Sequence, residues 1–165
     1  MNRPAAPVDA PTYRRLLGSF ATGVTVVTTH DDRGRPAGMT ASAVAAVSLE
    51  PPLLLVCIDH EATMHELLRA MRPFALNVLA ADQEQLSRQF AAEFEDRFSS
   101  VGYDPGPSGL PLLHGVVAHI ICERREMVTA GDHTVFFGHV VGGQTFERPP
   151  LLHFRGGYRS PTLDR

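Results

Sequence analysis

The segment GMTASAVAAVSLEPPLLLVCID, residues 38–59, decides the fold. Its two apolar runs, 43–47 and 53–58, are rich in Val, Leu and Ile and are separated by the double proline Pro51-Pro52, the pattern of two strands joined at a punctuated turn. The preceding VTVVTT, residues 24–29, reads as a strand, and HDDRGRP is a polar turn before an extended run that begins near Ala37, so the pair forms a hairpin. Further β-branched or apolar runs occur at 74–79, 116–122 and 134–141. Strands dominate and no sustained βαβ alternation appears, which predicts a mainly β chain, an antiparallel barrel carrying a few peripheral helices.

Three short helices are expected around it. Asp9 caps the first, with Pro11 in its first turn, Leu16 and Leu17 on its inner face and Gly18 near its end. Thr63-Met-His-Glu66 reads as a capping box opening a helix to about Met71, stopped by Arg72 and Pro73. A third begins near Asp82, with Leu86, Phe90 and Phe94 spaced by four on one face. GYDPGPSGLP, residues 102–111, is too punctuated for regular structure and is expected to be a loop. Residues 1–11 read as a loose arm, 12–160 as one domain and 161–165 as a tail.

The 165 residues carry 15 Lys and Arg against 18 Asp and Glu, so no basic field gathers a nucleic-acid backbone. The two cysteines, Cys57 and Cys122, lie far apart and support neither a disulfide framework nor a zinc knuckle, which fits a reducing cytoplasm. No apolar run approaches the ~18 residues of a membrane span, and MNRPAAPVDAP lacks the apolar core of a signal peptide. Eight histidines invite a metal reading, but His65-Glu66 has no second histidine one turn on, and His114 and His119 do not face one way, so no metal site is expected. GxGxxG, GxxxxGK[ST] and GxSxG are all absent, which removes the Rossmann crossing, the phosphate loop and the nucleophile elbow.

Within the opening segment, Thr40, Ala41 and Ser42 are small where larger residues would pack better. Taken alone, MTASA reads equally well as a strand edge with hydroxyls on exposed faces. A flat cofactor offers a second reason: small side chains let backbone N–H groups approach its edge, and hydroxyls such as that of Thr63 at a helix start can meet a phosphate. Gly131-Asp132-His133 before TVFFGHVVG is by itself a tight connection into a strand. HFRGGYR, residues 153–159, reads as a terminal turn with solvated arginines or as a close approach flanked by Tyr158. Asn77, ending a buried strand, is either a ligand contact or a partner for local backbone groups.

Five pieces, FATGVTVVTT, GMTASAVAAVSLEPPLLLVCID, FALNVLAADQEQLSRQFA, AGDHTVFFGHVV and LLHFRGGYR, occur in one order and together resemble the short-chain flavin reductase family with the FMN-binding split-barrel fold, which includes the reductase components of two-component flavin-dependent monooxygenases. The likeness runs from about Tyr13 to Arg159. It implies an antiparallel split β-barrel, a cytoplasmic homodimer, and an NAD(P)H:flavin oxidoreductase (EC 1.5.1-like) that passes hydride from NADH or NADPH to FMN or FAD and supplies a separate monooxygenase. It also implies roles. Thr40, Ala41 and Ser42 line the isoalloxazine edge; Cys57 and Asp59 lie along the flavin; Thr63 helps to hold the phosphate, and Ser87 and Phe90 close the ribityl end. His133, beside Asp132, orients the nicotinamide, and Tyr158 lies near the exposed ring face. Two alternatives stay open: a flavoenzyme that keeps its FMN and acts on another substrate, and a flavin-binding module without turnover.

Overall fold

The structure is a computed structural model, which describes residues 6–92 and 96–161. Its frame is a seven-stranded antiparallel sheet in the order β3-β2-β6-β9-β10-β5-β4. These strands are β2 (Thr25–His30), β3 (Pro36–Ala41), β4 (Val44–Leu49), β5 (Pro52–Asp59), β6 (Phe74–Val78), β9 (Ala118–Ala130) and β10 (His133–Thr145). β1 (Thr22–Gly23), β11 (Leu152–Phe154) and β12 (Gly157–Arg159) form a small second sheet, and β7 (Tyr103–Pro105) pairs with β8 (Pro111–Leu113) in a third. The large sheet curls until β3 packs beside β5 with no ladder between them, an antiparallel barrel left open along one seam.

β2 shows why the sequence chose this curvature. Val27 faces a barrel core containing Val56, Ile58, Leu76 and Phe136, while its neighbour Val26 faces an outer core with Leu79, Phe90, Leu113 and Leu151. Both faces of the strand are therefore covered, and its threonines must find partners inside the protein. They do: Thr25 Oγ1 donates to Ala41 O at 2.7 Å, Thr28 Oγ1 to Pro111 O at 2.6 Å and Thr29 Oγ1 to Pro73 O at 2.8 Å. Asn77 completes the brace. Its Nδ2 donates to Val26 O at 3.0 Å and Thr28 Oγ1 at 2.9 Å, and its Oδ1 accepts from Leu113 N at 2.9 Å. These partners satisfy backbone groups of other strands.

α1 (Ala10–Leu17) starts where expected, with Asp9 Oδ1 accepting from Thr12 N at 2.9 Å. Its first turn takes in the last residues of the expected arm, and Leu16 and Leu17 are exposed rather than on an inner face, because nothing among the described residues lies across that side. α2 (Thr63–Arg69) does not use the capping box: Ala62 is the N-cap and no side chain bonds there, which places Thr63 one residue inside the helix. The helix also ends before Met71, which takes a positive φ of 60°. α3 (Glu84–Ala91) buries Ser87 and Phe90; Phe94 lies outside the described residues.

Residues 102–111 are more ordered than a loop, since β7 and β8 pair around a single 3₁₀ turn at Pro107–Gly109. β9 and β10 run 13 residues each, past the apolar core of either run, because they pair with each other as a long hairpin beyond the barrel. The terminal HFRGGYR is also a hairpin, β11 to β12, whose two turn residues Arg155 and Gly156 have φ of 49° and 74°.

Candidate functional site

A groove of about 1330 Å³ opens along the barrel seam, walled by β3, the corner from β5 into α2, the end of α3 and the segment 96–98. Pockets for drug-sized ligands are about 300–1,000 Å³, so this one has room for a long, flat molecule. The groove depends on one close approach. A Cβ on Gly38 would lie 2.8 Å from Phe90 Cε1 and 3.3 Å from Phe98 Cζ, so only glycine lets the two rings close the wall over β3. Beside it Thr40 Oγ1 donates to Ser87 O at 2.7 Å, tying α3 to the strand. Arg97 NH1 donates to Gly38 O at 2.9 Å, which brings a cation to the same wall.

Of the residues singled out in the sequence, Thr40, Asp59, Thr63 and Phe90 line the groove. Thr63 is exposed, and Asp59 Oδ1 accepts from Glu61 N at 2.9 Å in the turn that leads into α2. His133, Asp132, Ala41, Ser42, Cys57, Ser87 and Tyr158 lie outside that lining, each with a definite place. Ala41 belongs to the barrel core, and Ser42 is exposed just beyond β3. Ser87 is buried, its Oγ 2.8 Å from Tyr158 OH, so the two hydroxyls join α3 to the terminal hairpin behind Thr40.

The β5–β10 ladder brings the others together. His133 stands opposite Asp59 and Val135 opposite Cys57, so His133, Asp59 and Cys57 share the outer face of the sheet at the end nearest the groove. His133 Nδ1 lies 2.7 Å from Asp132 Oδ1, where the ring donates to the carboxylate; that bond holds the Asp132 carboxyl below the usual aspartate range. Nε2 remains as the ring's outward hydrogen-bonding atom. Burial pushes the Cys57 thiol upward and that of Cys122 to about 12, so neither presents a thiolate near neutral pH.

Sequence reasoning missed part of the groove's wall. Arg35, Arg97 and Phe98 line it together with Met39 and Leu67. The available signal was Gly38, a glycine inside a strand and hence a mark of close approach; the arginines carry no pattern that separates them from solvated ones. Among the described residues no group of three or more His, Cys, Asp and Glu is placed to hold a metal ion, and no helix is long and apolar enough to cross a membrane.

A curled antiparallel sheet with a long groove along its open seam defines the chain as a split-barrel protein. It belongs to the flavin reductase-like domain family, whose model matches residues 17–162. A relative named "Probable flavin reductase" from Rhizobium meliloti (strain 1021) is 40% identical over 155 residues, which is 94% of this chain and 50% of the relative, so the chain spans about half of that protein's length. The reductase subunit HsaB of a flavin-dependent monooxygenase from Rhodococcus jostii (strain RHA1) is 38% identical over 162 residues, 98% of this chain and 83% of that one. Among solved structures, the NADH:FAD oxidoreductase SgcE6 of Streptomyces globisporus C-1027, in complex with NAD and FAD fragments, matches with a TM-score of 0.88 and 40% identity, over 97% of this chain and all of that one (100%).

Proposed function

We propose that this protein is an NAD(P)H:flavin oxidoreductase that reduces FMN or FAD and releases the reduced flavin to a separate monooxygenase, working as a cytoplasmic homodimer. The observation that carries the reading is the meeting of Thr40, Asp59, Thr63 and Phe90 in one long groove whose rim lies beside His133. The lining suits a flavin: Met39, Met64, Leu67 and Phe90 offer apolar surface to a flat ring system, and Arg35 and Arg97 offer charge to an anionic tail. When bound, the flavin supplies the hydride acceptor and the nicotinamide the donor.

The chain's part is positional. Gly38 and Phe90 set the width of the groove, Thr40 fixes α3 to β3, and the Thr63 hydroxyl is available to the tail. Backbone N–H groups beside Thr40, Ala41 and Ser42 would stabilise the negative charge that a bound flavin gains on reduction. Asp59 would flank the flavin from the groove wall with Cys57 on the same strand, Ser87 and Tyr158 brace the wall from behind, and His133, held by Asp132, would orient the nicotinamide through Nε2. The gain comes from bringing two rings into register.

The test is to follow NADH and NADPH oxidation by purified protein with and without added FMN or FAD, then to separate protein from flavin by gel filtration. Turnover that needs added flavin, with the flavin eluting apart from the protein, is expected. Yellow protein that oxidises neither nicotinamide would overturn the reading in favour of a binding module.

A further inference from the structure

We infer that Thr134 and the imidazoles of His60 and His65 form a clamp that fixes the Asp132–His133 turn at the rim of the groove, which makes them positioning residues for the nicotinamide; the inference rests on the reading of His133 given above. Thr134 is only 3% exposed, one residue beyond His133 and on the opposite face of β10. Its Oγ1 lies 2.9 Å from His65 Nε2 and 3.1 Å from His60 Nε2. A hydroxyl has one proton and two acceptor sites, so it can serve both rings only if at least one imidazole presents an Nε2 proton to it. The two rings sit 5.0 Å apart, edge to face, and His65 meets Phe136 in the same way at 5.6 Å.

The three groups come from three elements. His60 follows β5, His65 is on α2 and Thr134 is the second residue of β10, and the His60 backbone N–H adds a bond to Asp132 O at 3.1 Å. The β9–β10 turn is thus held on both sides of His133, at Asp132 by a backbone bond and at Thr134 by two side chains. Without them the turn would rest on Gly131, with φ of 65°, and on the first rungs of two ladders. A second observation sets this apart from ordinary packing. His65 is 7% exposed, and its Nδ1 is buried with no hydrogen-bond partner among the described residues, Glu66 Oε1 standing 3.4 Å away and out of line. An apolar side chain beside Phe136 would leave no such group unmet, so what the histidine adds at this position is its bond to Thr134.

Thr134→Val keeps the shape and removes the hydroxyl; Thr134→Ser restores it; His60→Ala, at an exposed residue, weakens the clamp without opening the core. With His133→Ala as the reference, each is measured for the KM of NADH, kcat and flavin Kd, and for amide hydrogen exchange over 131–134. Thr134→Val is expected to raise the KM of NADH by roughly fivefold, with flavin Kd within about twofold and faster exchange at 131–134. Thr134→Ser should reverse all three effects, and His60→Ala should move KM and exchange the same way by less. Thr134→Val combined with His133→Ala should be no worse than His133→Ala alone, because the clamp acts through that residue. Multiplying effects in the double variant, or a loss of thermal stability in Thr134→Val with KM and exchange unchanged, would overturn the clamp. A normal KM in His133→Ala would overturn the reading of His133, and with it the functional half of this inference, whatever the exchange data show.

Discussion

Asp31 sits where β2 turns toward β3, and its carboxylate gathers the turn. Oδ1 accepts from Arg33 N at 2.8 Å and Arg35 N at 2.9 Å, and Oδ2 from Arg35 Nε at 2.8 Å. The Arg35 backbone N–H, and after it the Arg35 guanidinium and the Arg33 N–H, outweigh partial burial and hold the Asp31 carboxyl at about 2 instead of 3.8. A carboxyl whose folded pKa is depressed stabilises the fold above its unfolded value and loses that contribution as pH falls through the folded value. Asp31→Asn should therefore melt below wild type at neutral pH, and the gap should close as pH falls from about 4 to about 2, measured as thermal midpoints of both proteins along the pH series. Asn77 teaches a different lesson at the same scale. The sequence left it between ligand and backbone partner, since one residue in a buried strand reveals nothing about a strand 36 positions away, and the structure shows Leu113 N meeting its amide oxygen.

Between elements, the contact that sets the groove is β3 against α3. The wall closes because residue 38 has no side chain, and a methyl there would press on the Phe90 ring inside a packed core. Overpacking of that kind usually costs about 1–3 kcal/mol. α3 can relieve part of it by moving outward, which stretches the 2.7 Å Thr40–Ser87 bond and widens the groove. Gly38→Ala should keep the fold and weaken flavin binding by roughly tenfold, equivalent to about 1.4 kcal/mol, as read by flavin fluorescence titration. Element type was legible where β-branched runs fill both faces of a strand, as in β2 and β5. Element ends were not, because tertiary pairing sets them. The 13-residue β9 and β10 extend each other beyond the core, Thr63 loses its cap role to Ala62, and the Gly- and Pro-rich 102–111 supplies two short paired strands around a turn, with Leu110 and Leu113 buried at its end.

At the scale of the whole molecule, the barrel was legible from the order of five motifs, while the groove was legible on one side only, since Arg97 and Phe98 approach β3 from a segment nearly 60 positions away. Tertiary demand also leaves one element uncovered by the described residues of its own chain. α1 has eight residues, none buried, and Tyr13, Leu16 and Leu17 repeat at helical spacing on one side, with Phe20 after them at 73% exposure. A helix this short is marginal in water without an apolar face to cover, and the link from Gly18 O to Arg155 N is what ties its end to the barrel. A second copy of the chain covering this face would account for the apolar side, and it is where the homodimer proposed above would form. Light scattering coupled to gel filtration should therefore give twice the mass of the chain for the wild type. Leu16→Glu with Leu17→Glu places charge on that face and should shift the mass toward one chain while the far-ultraviolet spectrum of the barrel is kept. A wild type that runs as a single chain, or a double variant that remains dimeric, would show that α1 is covered by something else.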